Sequence, residues 1–193
     1  MATMSGKRKS SPLAGKKVVL GVTGSIAAYK ACELTRLLAK AGAEVAVVMT
    51  KSACEFVAPL TFRTLSRRTV ALDSFENPAT WVPGHVSLAD WCDLMVVAPC
   101  TANVAAKMAW GLADDLLTSL ALACRRPKLV APAMNDGMWE NPATQENLAT
   151  LRRRGIAVME PGEGDLACGT EGRGRMPEPG EVFAAAERLV CGK

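Results

Sequence analysis

The segment from Lys128 to Trp139 (KLVAPAMNDGMW) joins a short apolar run to polar residues that could bind a ligand. Leu129 to Ala131 is predicted to be a buried parallel strand that ends at Pro132, because proline cannot donate to a sheet ladder. Ligands bind beyond the carboxyl ends of strands in open parallel sheets, so Asn135 would face a crevice and bring a donor and an acceptor to it. The alternative is an ordinary Asn turn followed by core methionine and tryptophan side chains.

A second polar site is predicted where the first strand turns into a helix. GVTGSIA at 21–27 resembles a phosphate-binding turn but lacks the G-x-G-x-x-G spacing. The second strand ends near Thr50 and Ser52, where a dinucleotide site would need a carboxylate for the ribose. These two hydroxyls and a helix N-cap at Ser25 suit a phosphate monoester, which favours FMN over NAD. The alternative is that they are cap and turn residues of an α/β fold without a ligand.

Strands and helices alternate along the chain, the pattern of a parallel sheet with helices on both faces. The predicted strands are Lys17–Val22, Ala43–Met49, Val70–Leu72, Leu94–Ala98, Leu129–Ala131 and Ile156–Met159. The predicted helices are 25–41, 52–57, a helix from Pro59, His85–Cys92, Thr101–Ala109, Leu112–Cys124, Asn141–Arg154 and Val182–Val190. Residues 73–84 are predicted to form a loop, and the Gly-rich and Pro-rich segment Pro161–Gly180 is predicted to lack regular structure.

Composition limits the class of protein. With 193 residues, 49% hydrophobic and 22% charged, the chain fits one soluble domain with a full core. The net charge of +4 is concentrated near the N-terminus, so residues 1–15 are expected to be a disordered basic tail and 16–193 the folded domain. Neither a nucleic-acid surface nor a membrane span nor a signal core is predicted, and a cytoplasmic location is expected.

The cysteines and the histidine argue against a metal centre. The seven cysteines are odd in number and contain no C-x-x-C pair, and His85 is the only histidine. We therefore expect reduced thiols and no bound metal.

Four segments, in this order, resemble the flavin-dependent cysteine decarboxylases: GVTGSIAAYK, HVSLADWCDLMVVAPCTANVAAKMAWGLADDLLT, APAMNDGMW and ACGTEGRGRMPEP. The resemblance covers about residues 16–190 and is strongest to the members that act in coenzyme A biosynthesis. It implies a single-domain Rossmann-like (flavodoxin-like) flavoprotein in which residues 161–180 form a substrate clamp. It also implies self-association as a trimer or a multiple of trimers, with FMN between protomers. The family's usual D-N-L-L-T is here Asp114–Thr118, so Asp115 replaces an amide by a carboxylate that cannot donate when ionised.

The resemblance further implies FMN-dependent decarboxylation of 4'-phosphopantothenoylcysteine to 4'-phosphopantetheine. Transient oxidation of the cysteine to a thioaldehyde would provide the electron sink that a cysteine carboxylate lacks. The alternative is oxidative decarboxylation of a peptide's C-terminal cysteine, as in lantibiotic maturation.

Residue roles follow from the same resemblance. His85 would act in oxidative decarboxylation, Asn135 would bind the substrate carboxylate, and Cys168 would donate the proton that allows reduction of the enethiolate. From the residues alone, a surface or capping role is favoured for His85. The alternative for Cys168 is a buried structural thiol, for which a Gly-rich loop is an unusual place. The implied FMN-binding residues are Gly24, Ser25, Ile26, Thr50, Ser52, Thr101, Ala102, Asn103, Val104 and Ala133. The implied substrate contacts are Asn135, Asp165, Ala167 and Met176.

Overall fold

The computed structural model describes residues 11–72, 84–165, 169 and 171–192. Its main sheet has five parallel strands in the order β2-β1-β3-β4-β5. The strands are β1 (Lys17–Val22), β2 (Glu44–Met49), β3 (Leu94–Cys100), β4 (Lys128–Pro132) and β5 (Ala157–Val158). This is the flavodoxin-like strand order, with a switch in direction at β1 and β3. The predicted fold class is confirmed.

Helices follow or precede each strand in the described part of the chain. They are α1 (Ala28–Lys40), α2 (Pro59–Ser66), α3 (Gly84–Trp91), α4 (Ala102–Trp110), α5 (Leu116–Ala123), α6 (Asp136–Glu140), α7 (Pro142–Arg153) and α8 (Pro179–Val190), with a 3-10 helix at Lys51–Glu55. Across the described ranges, no helix has the length and apolar content that a membrane crossing requires.

Both faces of the sheet are covered by helices, as predicted. Side chains alternate between faces along a strand, so Val18 and Leu20 of β1 pack on one side and Val19 on the other. The first side is completed by α1, α2 and α8, and the second by α3, α4, α5 and α7. Each face therefore has its own apolar core.

The predicted strand end at Pro132 is confirmed, because β4 ends there, whereas the strand end predicted at Pro99 is wrong. β3 continues to Cys100, which pairs with Pro132 after a register shift that follows Val97. The Ala98–Pro99 bond is cis. Proline is tolerated here because the last positions of a strand do not all have to donate to the ladder.

The predicted tail boundary at residue 15 is also wrong, because residues 11–15 pack against the domain. Leu13 is fully buried in the core. The Ser11 hydroxyl donates to Glu187 Oε1 at 2.6 Å, and the Gly15 N–H donates to the Gly42 carbonyl at 2.9 Å. The remainder of the predicted tail, residues 1–10, lies outside the described residues, as do residues 73–83 of the predicted loop at 73–84.

Regular structure is present in the segment predicted to lack it. β6 (Gly162–Asp165) and β7 (Glu171–Arg175) form an antiparallel ribbon with an irregularity between Gly162 and Glu163. Glycine composition is compatible with such a ribbon, since glycine adopts the positive φ found at Gly164 (132°) and Gly174 (153°). The last helix also begins earlier than predicted, at Pro179, where Glu178 and Glu181 form a capping box.

Candidate functional site

Residues predicted from the sequence to bind a ligand lie beyond the carboxyl ends of four neighbouring strands. Thr50 follows β2, Gly24 follows β1, Thr101 follows β3, and Asn135 follows β4. Because the strands are parallel and adjacent, these residues share one edge of the sheet, which is where ligands bind in this fold class.

The turns after β1 and β2 touch at Gly24. A Cβ atom on Gly24 would lie 2.5 Å from the Cβ of Ser52 and 3.2 Å from its carbonyl carbon, so only glycine fits. The Thr50 N–H also donates to the Val22 carbonyl at 3.0 Å. These contacts hold the two hydroxyl-bearing turns side by side.

The hydroxyls of this pair of turns have local roles. Ser25 is not the helix N-cap that was predicted, since α1 begins at Ala28; its Oγ accepts from the Ala27 N–H at 3.2 Å. Thr50 Oγ1 accepts from the Ala53 N–H at 3.3 Å and caps the 3-10 helix. A hydroxyl that accepts in this way still has a proton to donate. Ile26, the residue after Ser25, is 56% exposed.

Thr23 connects the ends of β1 and β3 and was missed by sequence reasoning. Its buried hydroxyl donates to the Pro99 carbonyl at 2.8 Å and accepts from the Thr101 N–H at 3.0 Å. Thr101 in turn caps α4, accepting from the Val104 N–H at 3.3 Å. The only sequence signal was a hydroxyl residue at a strand end.

The first turn of α4 contributes residues of different exposure. Asn103 is exposed and Ala102 is half-buried, whereas the Val104 side chain is buried in the core. Asn103 and Ala102 are therefore the side chains of this turn that a ligand at the sheet edge could reach. Nearby, burial raises the pKa of the Cys100 thiol to about 12, which keeps it protonated at neutral pH.

Asn135 lies in the turn between β4 and α6. Its side chain is exposed, and Oδ1 accepts from the Met138 N–H at 3.4 Å, which caps α6. The preceding Ala133 is buried and donates its N–H to the Cys100 carbonyl at 2.9 Å. The end of β4 is thus fixed to the end of β3, with Asn135 presented beyond it.

The ribbon of β6 and β7 docks on this turn. The Met134 N–H donates to the Gly174 carbonyl at 3.0 Å. A Cβ on Gly174 would lie 2.2 Å from the Met134 carbonyl oxygen, and one on Gly172 would lie 2.9 Å from the Asp136 Cβ. Glycine at both positions permits the backbone of β7 to approach the segment that carries Asn135.

The far end of the ribbon is fixed by Lys30 of α1. Lys30 is buried, and its Nζ donates to Glu178 Oε1 at 2.7 Å and to the Met176 carbonyl at 3.5 Å. Met176, predicted to contact substrate, is 2% exposed and packs in the core. Asp165 ends β6 and pairs with Glu171, while Ala167 and Cys168 lie outside the described residues.

His85 is the second residue of α3 and is half-buried. Its Nδ1 is buried without a hydrogen-bond partner among the described residues. Buried polar atoms normally have a partner, so this nitrogen could accept or donate a bond to a bound ligand. None of the contacts above, which join the strand ends and the ribbon, involves His85.

Asp115 has a clear structural role. Its Oδ1 accepts from the Thr118 N–H at 2.8 Å and from the Thr118 hydroxyl at 2.8 Å, forming a capping box at the start of α5. α5 therefore begins at Leu116 and not at the predicted Leu112. Since an N-cap needs an acceptor, a carboxylate serves here as well as the family's amide.

Comparison with known proteins agrees with this architecture. The chain matches the Flavoprotein family over residues 7–190. It is 52% identical over 178 residues to the coenzyme A biosynthesis bifunctional protein CoaBC of Vibrio vulnificus, covering 92% of this chain and 44% of that protein. The chain thus spans less than half the length of this relative.

Two solved structures are similar over nearly their whole length. One is a Cys-to-Ser variant of PPC decarboxylase complexed with pantothenoylaminoethenethiol: the TM-score is 0.82 at 34% identity, covering 93% of this chain and 100% of that one. The other is the FMN-dependent cysteine decarboxylase SpaF: the TM-score is 0.82 at 31% identity, covering 93% and 99%. The chain therefore belongs to the Flavoprotein family, and its assignment to the flavin-dependent cysteine decarboxylases within that family is confirmed.

Proposed function

We propose that this protein decarboxylates 4'-phosphopantothenoylcysteine to 4'-phosphopantetheine with FMN as cofactor. The observation that carries the proposal is the docking of the β6–β7 ribbon on the Asn135 turn through Met134 and Gly174. This contact places the ribbon, which would cover a bound substrate, next to the exposed amide of Asn135 at the carboxyl edge of the sheet. The 52% identity to a protein of coenzyme A biosynthesis supports the choice of substrate.

The residues at the strand ends fit FMN. The contact between Gly24 and Ser52 brings two hydroxyl-bearing turns together, and the β2 end has no carboxylate for a second ribose. In this proposal the phosphate and ribityl chain bind at Gly24, Ser25, Ile26, Thr50 and Ser52. The flavin binds against Thr101, Ala102, Asn103, Val104 and the backbone of Ala133.

FMN, when bound, supplies a hydride acceptor that gives the cysteine carboxylate its missing electron sink. Asn135 would orient the substrate carboxylate through a neutral donor, which holds the group without stabilising its charge so strongly that its loss is opposed. Its exposed position beyond β4 suits that role. In the clamp, Asp165 and Ala167 are proposed to contact substrate, whereas the Met176 side chain is buried in the core and would support the clamp from beneath.

His85 and Cys168 are assigned the proton transfers. The buried Nδ1 of His85 has no hydrogen-bond partner among the residues described, and an imidazole nitrogen can pass a proton to or from a bound group. Cys168 would protonate the enethiolate carbon so that it can be reduced to the saturated thiol. The role of Cys168 rests on the motif resemblance alone, and that of His85 on the resemblance together with its unpartnered buried Nδ1.

Oxidative decarboxylation of a peptide's C-terminal cysteine is the second candidate, because the motif resemblance is compatible with it. The chain is also as similar to the FMN-dependent cysteine decarboxylase SpaF as to PPC decarboxylase, with a TM-score of 0.82 for each. Incubation with each substrate separately, followed by mass spectrometry, distinguishes them. We expect loss of carbon dioxide from phosphopantothenoylcysteine and no change in the peptide. Turnover of the peptide alone would favour the second candidate.

We further propose a trimer or a multiple of trimers in the cytoplasm. Several large apolar side chains near the strand ends and α1 are exposed in one protomer, including Ile26 at 56% and Tyr29 at 60%. The odd number of cysteines without a C-x-x-C pair agrees with a reducing compartment. Sedimentation of FMN-loaded protein tests the assembly, and an active, flavin-loaded monomer would overturn it.

A further inference from the structure

Two buried cysteines on the helical face opposite α1 lie in direct contact. Cys92 follows α3 and Cys124 follows α5, and their Sγ atoms are 3.5 Å apart. The side chains are 1% and 3% exposed. The starts of the same helices also meet, since a Cβ on Gly84 would lie 3.9 Å from the Leu116 Cδ1. α3 and α5 therefore run side by side, with the two thiols at their ends.

A cleft lies beside this pair, and its lining consists of neighbours of the two cysteines. It has a volume of about 520 Å³ and is lined by Val86, Ala89, Asp90, Ala123, Arg125 and Arg126. Ala123 and Arg125 flank Cys124 in the chain, and the carbonyl of Ala89 lies 3.6 Å from Cys92 Sγ. A small polar oxidant in the cleft would therefore contact residues that adjoin both cysteines, including two arginines.

The two sulfurs differ in acidity. The hydrogen bond between the two sulfurs lowers the pKa of Cys124, and the charges of Lys128 and Arg126 add to this effect. The same hydrogen bond, together with burial, raises the pKa of Cys92. Cys124 is thus the sulfur that ionises first, and the thiolate is the nucleophilic form of cysteine.

We infer that Cys92 and Cys124 form a redox-active dithiol that closes to a disulfide in the presence of a hydroperoxide. The Cys124 thiolate attacks the peroxide oxygen, giving a sulfenic acid and, with hydrogen peroxide, one water. Cys92 sulfur then attacks the sulfenyl sulfur and expels a second water. Two thiols and one peroxide give one disulfide and two waters, and a dithiol reductant reverses the oxidation.

The geometry permits this reaction with a small movement. An S–S bond of about 2.05 Å requires the sulfurs to approach by roughly 1.5 Å from their contact distance. Closure would tie the end of α3 to the end of α5. His85 lies at the start of α3, so the bond would fix the helix that carries it. The inference does not depend on the proposed activity.

Non-reducing peptide mapping tests the inference. The FMN-loaded protein is treated with hydrogen peroxide, unfolded in the presence of iodoacetamide and digested. We expect a peptide pair joined through Cys92 and Cys124 that disappears after treatment with dithiothreitol, and a higher thermal unfolding midpoint for the oxidised protein. Cys92→Ser and Cys124→Ser should each lack both effects.

Two controls make the result decisive. Cys32→Ser removes a half-buried thiol from α1, on the opposite face of the sheet, and should keep the cross-link. Oxidation of the exposed Cys191 reports that the peroxide was active. Recovery of Cys92 and Cys124 as alkylated thiols, in wild-type protein whose Cys191 is oxidised, would overturn the inference.

Discussion

The backbone N–H of Thr101 donates to the buried hydroxyl of Thr23 at 3.0 Å, and that hydroxyl donates to the Pro99 carbonyl at 2.8 Å. One side chain thus joins the end of β1 to the start of α4 across the point where the strand order changes direction. The bridge therefore holds together two turns of the proposed FMN site, the one after β1 and the one after β3.

Thr23→Val should weaken both the fold and FMN binding. The valine is similar in shape but leaves the Thr101 N–H and the Pro99 carbonyl without their partner, at a cost of about 1–3 kcal/mol per unsatisfied group. Urea unfolding and FMN fluorescence titration measure the two effects. Thr23→Ser keeps the hydroxyl and should retain most of the flavin affinity. Equal flavin affinity in Thr23→Val and wild-type protein would contradict the role of the bridge.

Gly174→Ala should displace the β6–β7 ribbon from the Asn135 turn. The new Cβ would meet the Met134 carbonyl oxygen at 2.2 Å, at a φ of 153° that only glycine adopts readily. We expect KM for the substrate to rise roughly tenfold or more, equivalent to about 1.4 kcal/mol, with a smaller effect on the FMN dissociation constant. Steady-state kinetics and flavin titration separate these two quantities.

Gly180→Ala is the matched control, because a Cβ there meets nothing within 4 Å. It lies in the first turn of α8, where alanine is tolerated at least as well as glycine. An unchanged KM in both variants would show that the ribbon does not act on the substrate.

Much of this architecture could be predicted because it follows local patterns. The apolar strands and amphipathic helices gave the sheet and its two helical layers. The β6–β7 ribbon could not be predicted, because several of its paired residues are glycines. Without side chains, these residues show no alternation of apolar and polar positions that would indicate a strand. Leu13 was assigned to a disordered tail because its burial depends on tertiary packing rather than on its neighbours in sequence. Thr23 was missed because its partner Pro99 lies 76 residues away.

Asp115→Ala should destabilise the protein by about 1 kcal/mol, within the 0.5–2 kcal/mol typical of a lost N-cap. The variant removes the acceptor for the Thr118 N–H and the charge near Lys107 Nζ, which lies 3.6 Å away. Asp115→Asn restores the family's residue and the acceptor, and its free energy of unfolding should stay close to wild type. A marked loss in the Asn variant would mean that the ion pair, rather than the cap, supplies the stability.

Asn135→Asp should abolish decarboxylation while leaving FMN bound. It places a carboxylate against the carboxylate of the substrate, and like charges repel most strongly in a partly desolvated site. The Oδ1 acceptor that caps α6 is retained, so folding should be little changed. Product formation by mass spectrometry and the flavin spectrum report on the two outcomes. Wild-type turnover in this variant would remove Asn135 from the proposed site.

The most direct test mixes FMN-loaded protein with 4'-phosphopantothenoylcysteine without oxygen, following flavin absorbance and carbon dioxide together. In wild-type protein we expect oxidised-flavin absorbance to fall and then recover as phosphopantetheine accumulates. In Cys168→Ser we expect about one carbon dioxide per flavin and no recovery, because the proton for the reductive half is missing. Carbon dioxide release with unchanged flavin absorbance in both proteins, or no release from wild-type protein, would contradict flavin-dependent decarboxylation by this chain.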